Sequence, residues 1–228
     1  MALSIPSVIF FDLDDTLLDH EGPEKRAALR LREEYGLEKW SPNAFLHQWE
    51  ALSNEHIATY FSGLITFQEQ RRRRIRAIFE DASIPDEEAD AIFETYLQTY
   101  EATWALFADA IPCLDALNGM RLGMISNGNS DQQRRKLKAT KIDQRFETVV
   151  ISSEVGIAKP DAGIFHEACR QMNVNPSDCI MVGDNWDRDV LGARSAGLRA
   201  IWLCRDREML GDQAGIASLH ELSANLAV

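Results

Sequence analysis

Short clusters of polar residues stand where apolar runs of the chain end, and their residue types could together do chemistry on an anion. Asp12 and Asp14 follow the first run, and Asp184 follows a later one. Carboxylates that lie close together repel one another, and such a group is stable only when a proton or a cation offsets the charge. Magnesium fits, because it binds one or two carboxylates together with waters and substrate oxygens. We therefore expect Mg2+ as the cofactor.

Two further residues supply donors that the carboxylates lack. Ser126 offers a hydroxyl group and Lys159 a positive charge, and both stand at or shortly after the end of an apolar run. Phosphate oxygens accept hydrogen bonds from such groups. The combination of residue types therefore predicts phosphoryl transfer with a small phosphate ester as the substrate.

The elements that must hold these residues are predicted as strands alternating with helices. Runs rich in β-branched residues predict five buried strands, at Val8–Phe11, Leu122–Ile125, Thr148–Ile151, Ile180–Val182 and Ala200–Leu203. Between the later strands lie helical patterns, at about residues 129–140, 161–173 and 187–196. This alternation predicts an α/β fold, a doubly wound parallel sheet with helices on both faces. Ligands bind outside the carboxyl ends of such strands, so the polar clusters are expected to form one pocket there.

The interval from about residue 20 to residue 105 breaks the alternation, since it has helical patterns and no convincing strand. Ser41, followed by a proline, and the capping box that begins at Thr66 mark two helix starts within it. We therefore predict two domains, an α/β core and an inserted helical domain, formed by residues 1–19 with 106–228 and by residues 20–105.

Composition narrows the range of partners. The 228 residues include 24 basic and 36 acidic side chains, and the formal charge of -12 opposes binding to nucleic acid or to anionic membranes. The run Arg71–Arg74 is interpreted as a solvated helix face, while contact of one of these arginines with an anionic substrate stays open. No stretch approaches the roughly 20 apolar residues of a membrane span. The four cysteines form no CxxC pair, which favours a reducing cytoplasm, and a monomer or homodimer is expected.

With these residues, the sequence resembles the haloacid dehalogenase superfamily. Four motifs occur in the order of that family, namely Asp12-x-Asp14-x-Thr16, Ser126-Asn127, Lys159-Pro160 and Gly183-Asp184-x-x-x-x-Asp189. The helical insertion is similar to the cap domain of one large subgroup, whose closure would exclude water from the site. Residues 125–129, followed by Gln132, are similar to the pyrimidine 5'-nucleotidases and N-acylneuraminate-9-phosphatases of that subgroup. The resemblance implies a Rossmann-like core with a helical cap.

The resemblance also implies roles for the acidic residues. Asp12 would be the nucleophile, which forms an aspartyl-phosphate, and would also ligate the metal. Asp14 would be the general acid and base, which protonates the leaving alcohol and then activates water, while its backbone carbonyl ligates the metal. Asp184 would ligate magnesium directly. Thr16 would belong to the phosphate-binding residues and would fix the geometry of their loop. Asp15 stands where many family members have glycine.

The other matching residues would bind phosphate or support the site. Ser126 and Lys159 would bind the transferring phosphoryl group, and Asn127 would contribute its backbone amide. Asp189 would orient Lys159 or a metal-bound water, and Asn185 would make a supporting contact outside the ligand set. The implied enzyme is a magnesium-dependent phosphatase, a phosphoric monoester hydrolase, acting on a nucleoside monophosphate or a sugar phosphate.

Other functions fit parts of the same pattern. A 2-haloacid dehalogenase would use the same nucleophile, but dehalogenases of the family lack the second aspartate of the first motif, which is present here as Asp14. A phosphomutase would differ mainly in how its cap excludes water. A non-catalytic protein that binds a phosphorylated metabolite is disfavoured, because every matching catalytic residue is present.

Overall fold

The computed structural model describes residues 6–206, 215–222 and 226. The chain divides into two compact units, one formed by residues 20–104 and the other by the residues before and after that range. Whether each unit folds as an independent domain stays a prediction. Within the described ranges, none of the helices combines the length and the apolar character that crossing a membrane requires.

The larger unit is built around a parallel sheet. The described strands are β1 (Val8–Phe11), β2 (Leu18–Asp19), β3 (Ala105–Leu106), β4 (Leu122–Ser126), β5 (Thr148–Ile151), β6 (Cys179–Gly183), β7 (Arg199–Leu203) and β8 (Gly215–Ile216). Six of them form a sheet in the order β5-β4-β1-β6-β7-β8, with every neighbouring pair parallel, while β2 and β3 form a separate antiparallel pair. The predicted α/β fold is confirmed, and each predicted strand is correct to within one residue at either end.

Along the chain, helices lie between the strands. They are α1 (Glu21–Glu34), α2 (Pro42–Phe61), α3 (Phe67–Phe79), α4 (Asp86–Ala102), α5 (Ala110–Ala116), α6 (Ser130–Ala139), α7 (Ser152–Val155), α8 (Ala162–Met172) and α9 (Gly192–Ser195). Short 3-10 turns lie at Asp143–Arg145, Pro176–Asp178 and Leu219–Glu221. Central strands such as β1 and β4 are buried along their whole length, as expected for a sheet covered on both faces.

The helix predicted over residues 187–196 differs in form. Trp186–Leu191 is a π-helical turn that runs into the short helix α9. The N–H of Val190 donates to the carbonyl of Asn185, five residues earlier, at 3.3 Å. Such wide turns are rare and occur frequently at functional sites. Here the turn carries Asp189, which is buried.

The smaller unit begins two of its helices where the sequence predicts them. The side chain of Ser41 accepts a hydrogen bond from the N–H of Ala44, and that of Thr66 accepts one from the N–H of Glu69. Both N-caps satisfy a backbone donor that the first helical turn leaves without a partner.

The core of the smaller unit contains an arginine. Helix α3 packs against α2 and α4, and Trp49 of α2 is 1% exposed. The Arg74 guanidinium lies 4.3 Å from the centroid of the Trp49 ring, and Arg74 is 5% exposed. The prediction of a solvated face is therefore wrong for Arg74, because aromatic rings replace water around its cation. It is correct for Arg73, which is exposed.

Candidate active site

The first candidate residue lies at the centre of the sheet edge. Strand β1 is flanked by β4 and β6, so Asp12, which follows β1 directly, lies between the carboxyl ends of both neighbours. Its N–H donates to the carbonyl of Val182 at 2.9 Å and extends the pairing with β6 by one residue. Burial raises the pKa of Asp12 well above its usual range, although the charge of Lys159 acts in the opposite direction. Lys159 therefore offsets only part of the penalty that burial places on the ionised form of Asp12.

Lys159 lies between two carboxylates. Its Nζ donates to Oδ1 of Asp12 and to Oδ1 of Asp189, at 2.6 Å in each case. Burial alone would lower the pKa of Lys159, but the charges of both aspartates outweigh it and the pKa is raised. The Asn127 side chain holds the backbone of Lys159, because its amide donates to the carbonyl at 2.9 Å and its oxygen accepts from the N–H at 2.8 Å. The ammonium group is thus charged and fixed beside Asp12.

Asp189 reaches Lys159 from the π-helical turn. Its second carboxylate oxygen accepts a hydrogen bond from the N–H of Asn185 at 3.0 Å. Gly183 makes this approach possible, because a Cβ at that position would lie 2.4 Å from the carboxyl carbon of Asp189. The Asn185 side chain accepts from the N–H of Arg188 at 2.9 Å and so caps the turn. Asn185 thus supports Asp189 through its backbone and the turn through its side chain.

Thr16 connects the first loop to the loop after β6. Its hydroxyl donates to Oδ1 of Asp184 and accepts from the N–H of Asp184, at 3.0 Å in each case. Because its hydrogen goes to a carboxylate, Thr16 is placed to fix the loop, while its predicted role in phosphate binding stays a prediction. Burial, followed by the charges of Asp189 and Asp15, raises the pKa of Asp184 to about 6. The indole of Trp202 donates to the Asp184 backbone carbonyl at 2.7 Å, so the backbone of Asp184 is held in position as well.

The loop after β1 turns at Asp15. Its φ of 57° lies in the left-handed region, which glycine, asparagine and aspartate tolerate better than other residues. This explains why an aspartate can replace the glycine of many family members. The carboxylate of the preceding residue, Asp14, is bound by two residues of α6, Gln133 and Lys136.

Gln133 and Lys136 are the two residues of the site that sequence reasoning missed. Both are buried, although α6 is mostly polar and has the composition of a surface helix. Gln133 also donates to Ser126 at the end of β4, at 2.7 Å. The one available signal was the spacing of three residues, which places both side chains on the same face of a helix.

Three carboxylates of the edge could hold a metal ion. Asp12, Asp184 and Asp189 each offer an oxygen, and these oxygens lie within 4.8 Å of one another. With Asp14 included, these carboxylates outnumber the ammonium groups of Lys136 and Lys159 that face them. Oxygen ligands in a site with excess negative charge suit Mg2+. The residues present therefore fit the predicted cofactor, while ligation by the Asp14 backbone carbonyl stays a prediction.

The predicted site residues all lie at or next to the carboxyl edge of the sheet, in the loops that follow β1, β4, β5 and β6. Hydrogen bonds join Lys159 to Asp12, Asp189 and Asn127, and Asp189 to the backbone of Asn185. Thr16 bonds to Asp184, and Gln133 links Asp14 to Ser126. Their individual catalytic roles stay predictions.

The sequence matches the haloacid dehalogenase-like hydrolase family over residues 6–197. Since this range covers most of the chain, the protein belongs to that family of hydrolases, and the predicted family is confirmed. A structure of YfnB from Bacillus subtilis bound to magnesium has the same fold. It covers 99% of this chain and 100% of its own, with a TM-score of 0.78 at 21% identity.

Curated relatives resemble the chain over most of its length. The phosphoserine phosphatase of Thermus thermophilus is 32% identical, over 87% of this chain and 88% of that protein. The pyrimidine 5'-nucleotidase YjjG of Escherichia coli is 30% identical, over 94% and 95%. The human N-acylneuraminate-9-phosphatase is 28% identical, over 89% and 84%. The predicted similarity to the last two groups is confirmed.

Proposed function

We propose that the protein is a magnesium-dependent phosphatase that hydrolyses a small phosphomonoester, with Asp12 as its nucleophile. The observation that carries this proposal is the 2.6 Å contact between Asp12 and Lys159 at the end of the central strand. A carboxylate able to attack phosphorus lies there beside a cation able to bind phosphate oxygens. The relatives named above, which are phosphatases and a nucleotidase, support the same reaction class.

The proposed reaction has two steps. An oxygen of Asp12 forms a bond to phosphorus, the bond from phosphorus to the ester oxygen breaks, and Asp14 gives a proton to the departing alcohol. Water then attacks phosphorus and gives a proton to Asp14, and the bond to Asp12 breaks, which releases inorganic phosphate. Lys159 and Ser126 hold the phosphoryl oxygens throughout and stabilise their charge. Bound magnesium supplies the positive charge that offsets the carboxylates and the phosphate.

The presence of Asp14 favours a phosphatase over a dehalogenase. A halide departs as a stable anion and needs no proton, whereas an alkoxide needs one. Asp14 lies two residues after the nucleophile, and its carboxylate is held in place by the side chains of α6. A dehalogenase would have no use for this arrangement.

The substrate is proposed to be a nucleoside monophosphate or a sugar phosphate. The names of the relatives indicate a pyrimidine nucleotide, a phosphorylated sugar acid and phosphoserine as their substrates. These compounds share only the phosphate monoester group. The cysteines Cys113, Cys169, Cys179 and Cys204 are free and buried, which is compatible with an enzyme of the cytoplasm.

The proposal is tested with purified protein and a panel of nucleoside monophosphates, sugar phosphates and phosphoserine. Release of inorganic phosphate is measured with Mg2+, with EDTA, and with EDTA followed by excess Mg2+. We expect turnover of at least one ester with Mg2+, its loss with EDTA and its return when Mg2+ is restored. The Asp12→Asn variant is expected to lose at least about 10,000-fold in activity, because it lacks the nucleophile.

Two results would contradict the proposal. Turnover that survives EDTA or the Asp12→Asn substitution would remove the metal or the nucleophile from the mechanism. Chloride released from a 2-chloroacid, with no phosphate released from any ester in the panel, would favour a dehalogenase.

A further inference from the structure

The carboxylate of Asp14 is held by a buried cation that belongs to none of the family motifs. Nζ of Lys136 donates to both oxygens of Asp14, at 2.7 and 2.8 Å. The Lys136 side chain is 1% exposed. A lysine is almost never buried this completely unless it is paired. The contact therefore fixes the direction in which Asp14 presents its carboxylate.

Gln133 connects the same carboxylate to the hydroxyl of Ser126. Its Nε2 carries two hydrogens, and it lies 2.9 Å from Oδ2 of Asp14 and 2.7 Å from Oγ of Ser126. Since Ser126 accepts one of these hydrogens, its own hydroxyl hydrogen is available for another acceptor. The carbonyl of Asn127 lies at 3.5 Å from Oγ, which is long for a hydrogen bond. A phosphate oxygen would be a better acceptor for that hydrogen.

Helix α6 places both residues because of how it begins. Asn129 caps the helix by accepting from the N–H of Gln132, which sets the helix start directly after the loop that follows β4. Gly128 lies in that loop with a φ of 147°, and a Cβ there would lie 3.1 Å from the Gln133 side chain. Gln133 and Lys136 then follow on one helix face. The loop thus brings both side chains to Asp14.

We propose that Gln133 and Lys136 are positioning residues, which together fix the Asp14 carboxylate for proton transfer and present the Ser126 hydroxyl to the phosphoryl group. This inference rests on the proposed phosphatase function. Stability alone does not account for the pair, because replacing a buried ion pair by apolar residues is often neutral or stabilising. A fixed proton donor, in contrast, gains from preorganisation, since a displacement of about 1 Å can cost about 100-fold in rate.

The contact of Lys136 with Asp14 and the contact of Gln133 with Ser126 should affect substrates with different leaving groups differently. The para-nitrophenolate anion departs without a proton, so its release depends little on where Asp14 lies. An alkoxide requires the proton of Asp14 as the ester bond breaks. Loss of Lys136 should therefore affect alkyl phosphates more than para-nitrophenyl phosphate, whereas loss of Gln133 should weaken binding of both through Ser126.

The test compares kcat/KM for para-nitrophenyl phosphate with kcat/KM for the alkyl phosphate of the panel that turns over fastest, both with Mg2+. The parameter kcat/KM covers the steps up to departure of the leaving group. For Lys136→Met, we expect kcat/KM to fall about 10- to 100-fold further for the alkyl ester than for the aryl ester. For Gln133→Leu, KM is expected to rise for both esters. Lys138→Met, which removes an exposed lysine of the same helix, is the control and should leave the ratio unchanged.

Each outcome separates this inference from the proposed function. Both esters are measured on one preparation, so the fraction of folded protein cancels in the ratio. An equal fall for both esters, or no fall, with Lys136→Met would overturn the positioning role while the phosphatase function stands. An unchanged KM for both esters with Gln133→Leu would remove its contact with Ser126 from the mechanism. A wild-type protein that hydrolyses neither ester would contradict the proposed function itself.

Discussion

Both units of the protein contain buried cations, and two of them, Lys159 and Arg74, have very different surroundings. In the α/β unit, Lys159 contacts the carboxylates of Asp12 and Asp189, each at 2.6 Å. In the helical unit, Arg74 contacts one carboxylate, that of Glu24, at 3.3 Å. The guanidinium of Arg74 otherwise faces aromatic rings, and its Nε has no hydrogen-bond partner among the described residues.

The difference distinguishes a structural cation from one that belongs to a reactive site. The charge of Arg74 is balanced by Glu24, which is 21% exposed and reaches water, and by the negative faces of aromatic rings. Lys159 is surrounded by more negative charge than it can neutralise, and burial prevents water from compensating the remainder. Burial, and after it the charges of neighbouring carboxylates, raises the pKa values of Asp12 and Asp184. Such excess charge gives no stability by itself and is expected where a further cation must bind.

The largest effect on stability is expected for Lys159→Met. This variant leaves two buried carboxylates without their cation, which should lower the free energy of unfolding by about 3 to 5 kcal/mol at neutral pH. Turnover of the best ester should fall about 1,000-fold, since a charged donor to the phosphoryl group is lost. Urea denaturation and phosphate release measure these two quantities, with Lys138→Met as the exposed control.

The stability loss of Lys159→Met should depend on pH. Burial already raises the pKa of Asp12, and removal of the Lys159 charge, which lowers it, should raise this pKa further, so protonation of Asp12 on acidification should reduce the loss. A loss that is the same at acidic and neutral pH would show that packing, and not charge, makes Lys159 important.

A smaller loss of stability is expected for Arg74→Met. The substitution removes the contact with the Trp49 ring and the hydrogen bond to Glu24, which together should cost about 2 to 4 kcal/mol in the free energy of unfolding. Because Glu24 reaches water, this loss should change little with pH. Arg73→Met, in the exposed position next to it, should change stability by less than about 0.5 kcal/mol. Equal effects of both variants would contradict the assignment of Arg74 to the core.

The smallest of these changes in the free energy of unfolding is expected for Asp184→Asn, and it is a gain in stability. Without metal, burial and then the charges of Asp189 and Asp15 disfavour the ionised form of Asp184, so the variant should be more stable than the wild type by about 1 to 3 kcal/mol at neutral pH. Thermal unfolding in EDTA measures this gain. Asp187→Asn, an exposed aspartate of the same loop, is the control and should give no gain.

The gain from Asp184→Asn should disappear on acidification. The pKa of Asp184 in the folded protein is about 6, above its ordinary value of 3.8, so the folded state holds the proton more tightly than the unfolded state. The resulting stability of the wild type is fully present below about pH 4 and is lost as the pH rises through about 6. Wild type and variant should therefore be equally stable near pH 4, and a gain that persists there would exclude the buried charge of Asp184 as its cause.

The sequence by itself determined the sheet and the predicted residues at its edge. Strands β1, β4 and β6 are continuous apolar runs, which identifies them as buried, and the polar residues of the motifs follow them directly along the chain. Since parallel strands end on the same side of a sheet, the order of residues was enough to bring Asp12, Ser126 and Asp184 to one edge.

Only the tertiary structure decided which polar residues of the helices are buried. Gln133 and Lys136 lie in a helix whose composition is that of a solvated one, and Arg74 lies in a run of arginines. Periodicity identifies the buried face of a helix through its apolar residues, so a polar side chain buried by a specific partner leaves no such pattern. Asp14 is 119 positions from Gln133 and 122 from Lys136, and Trp49 is 25 positions from Arg74. Their contacts arise from packing, and the local sequence does not encode them.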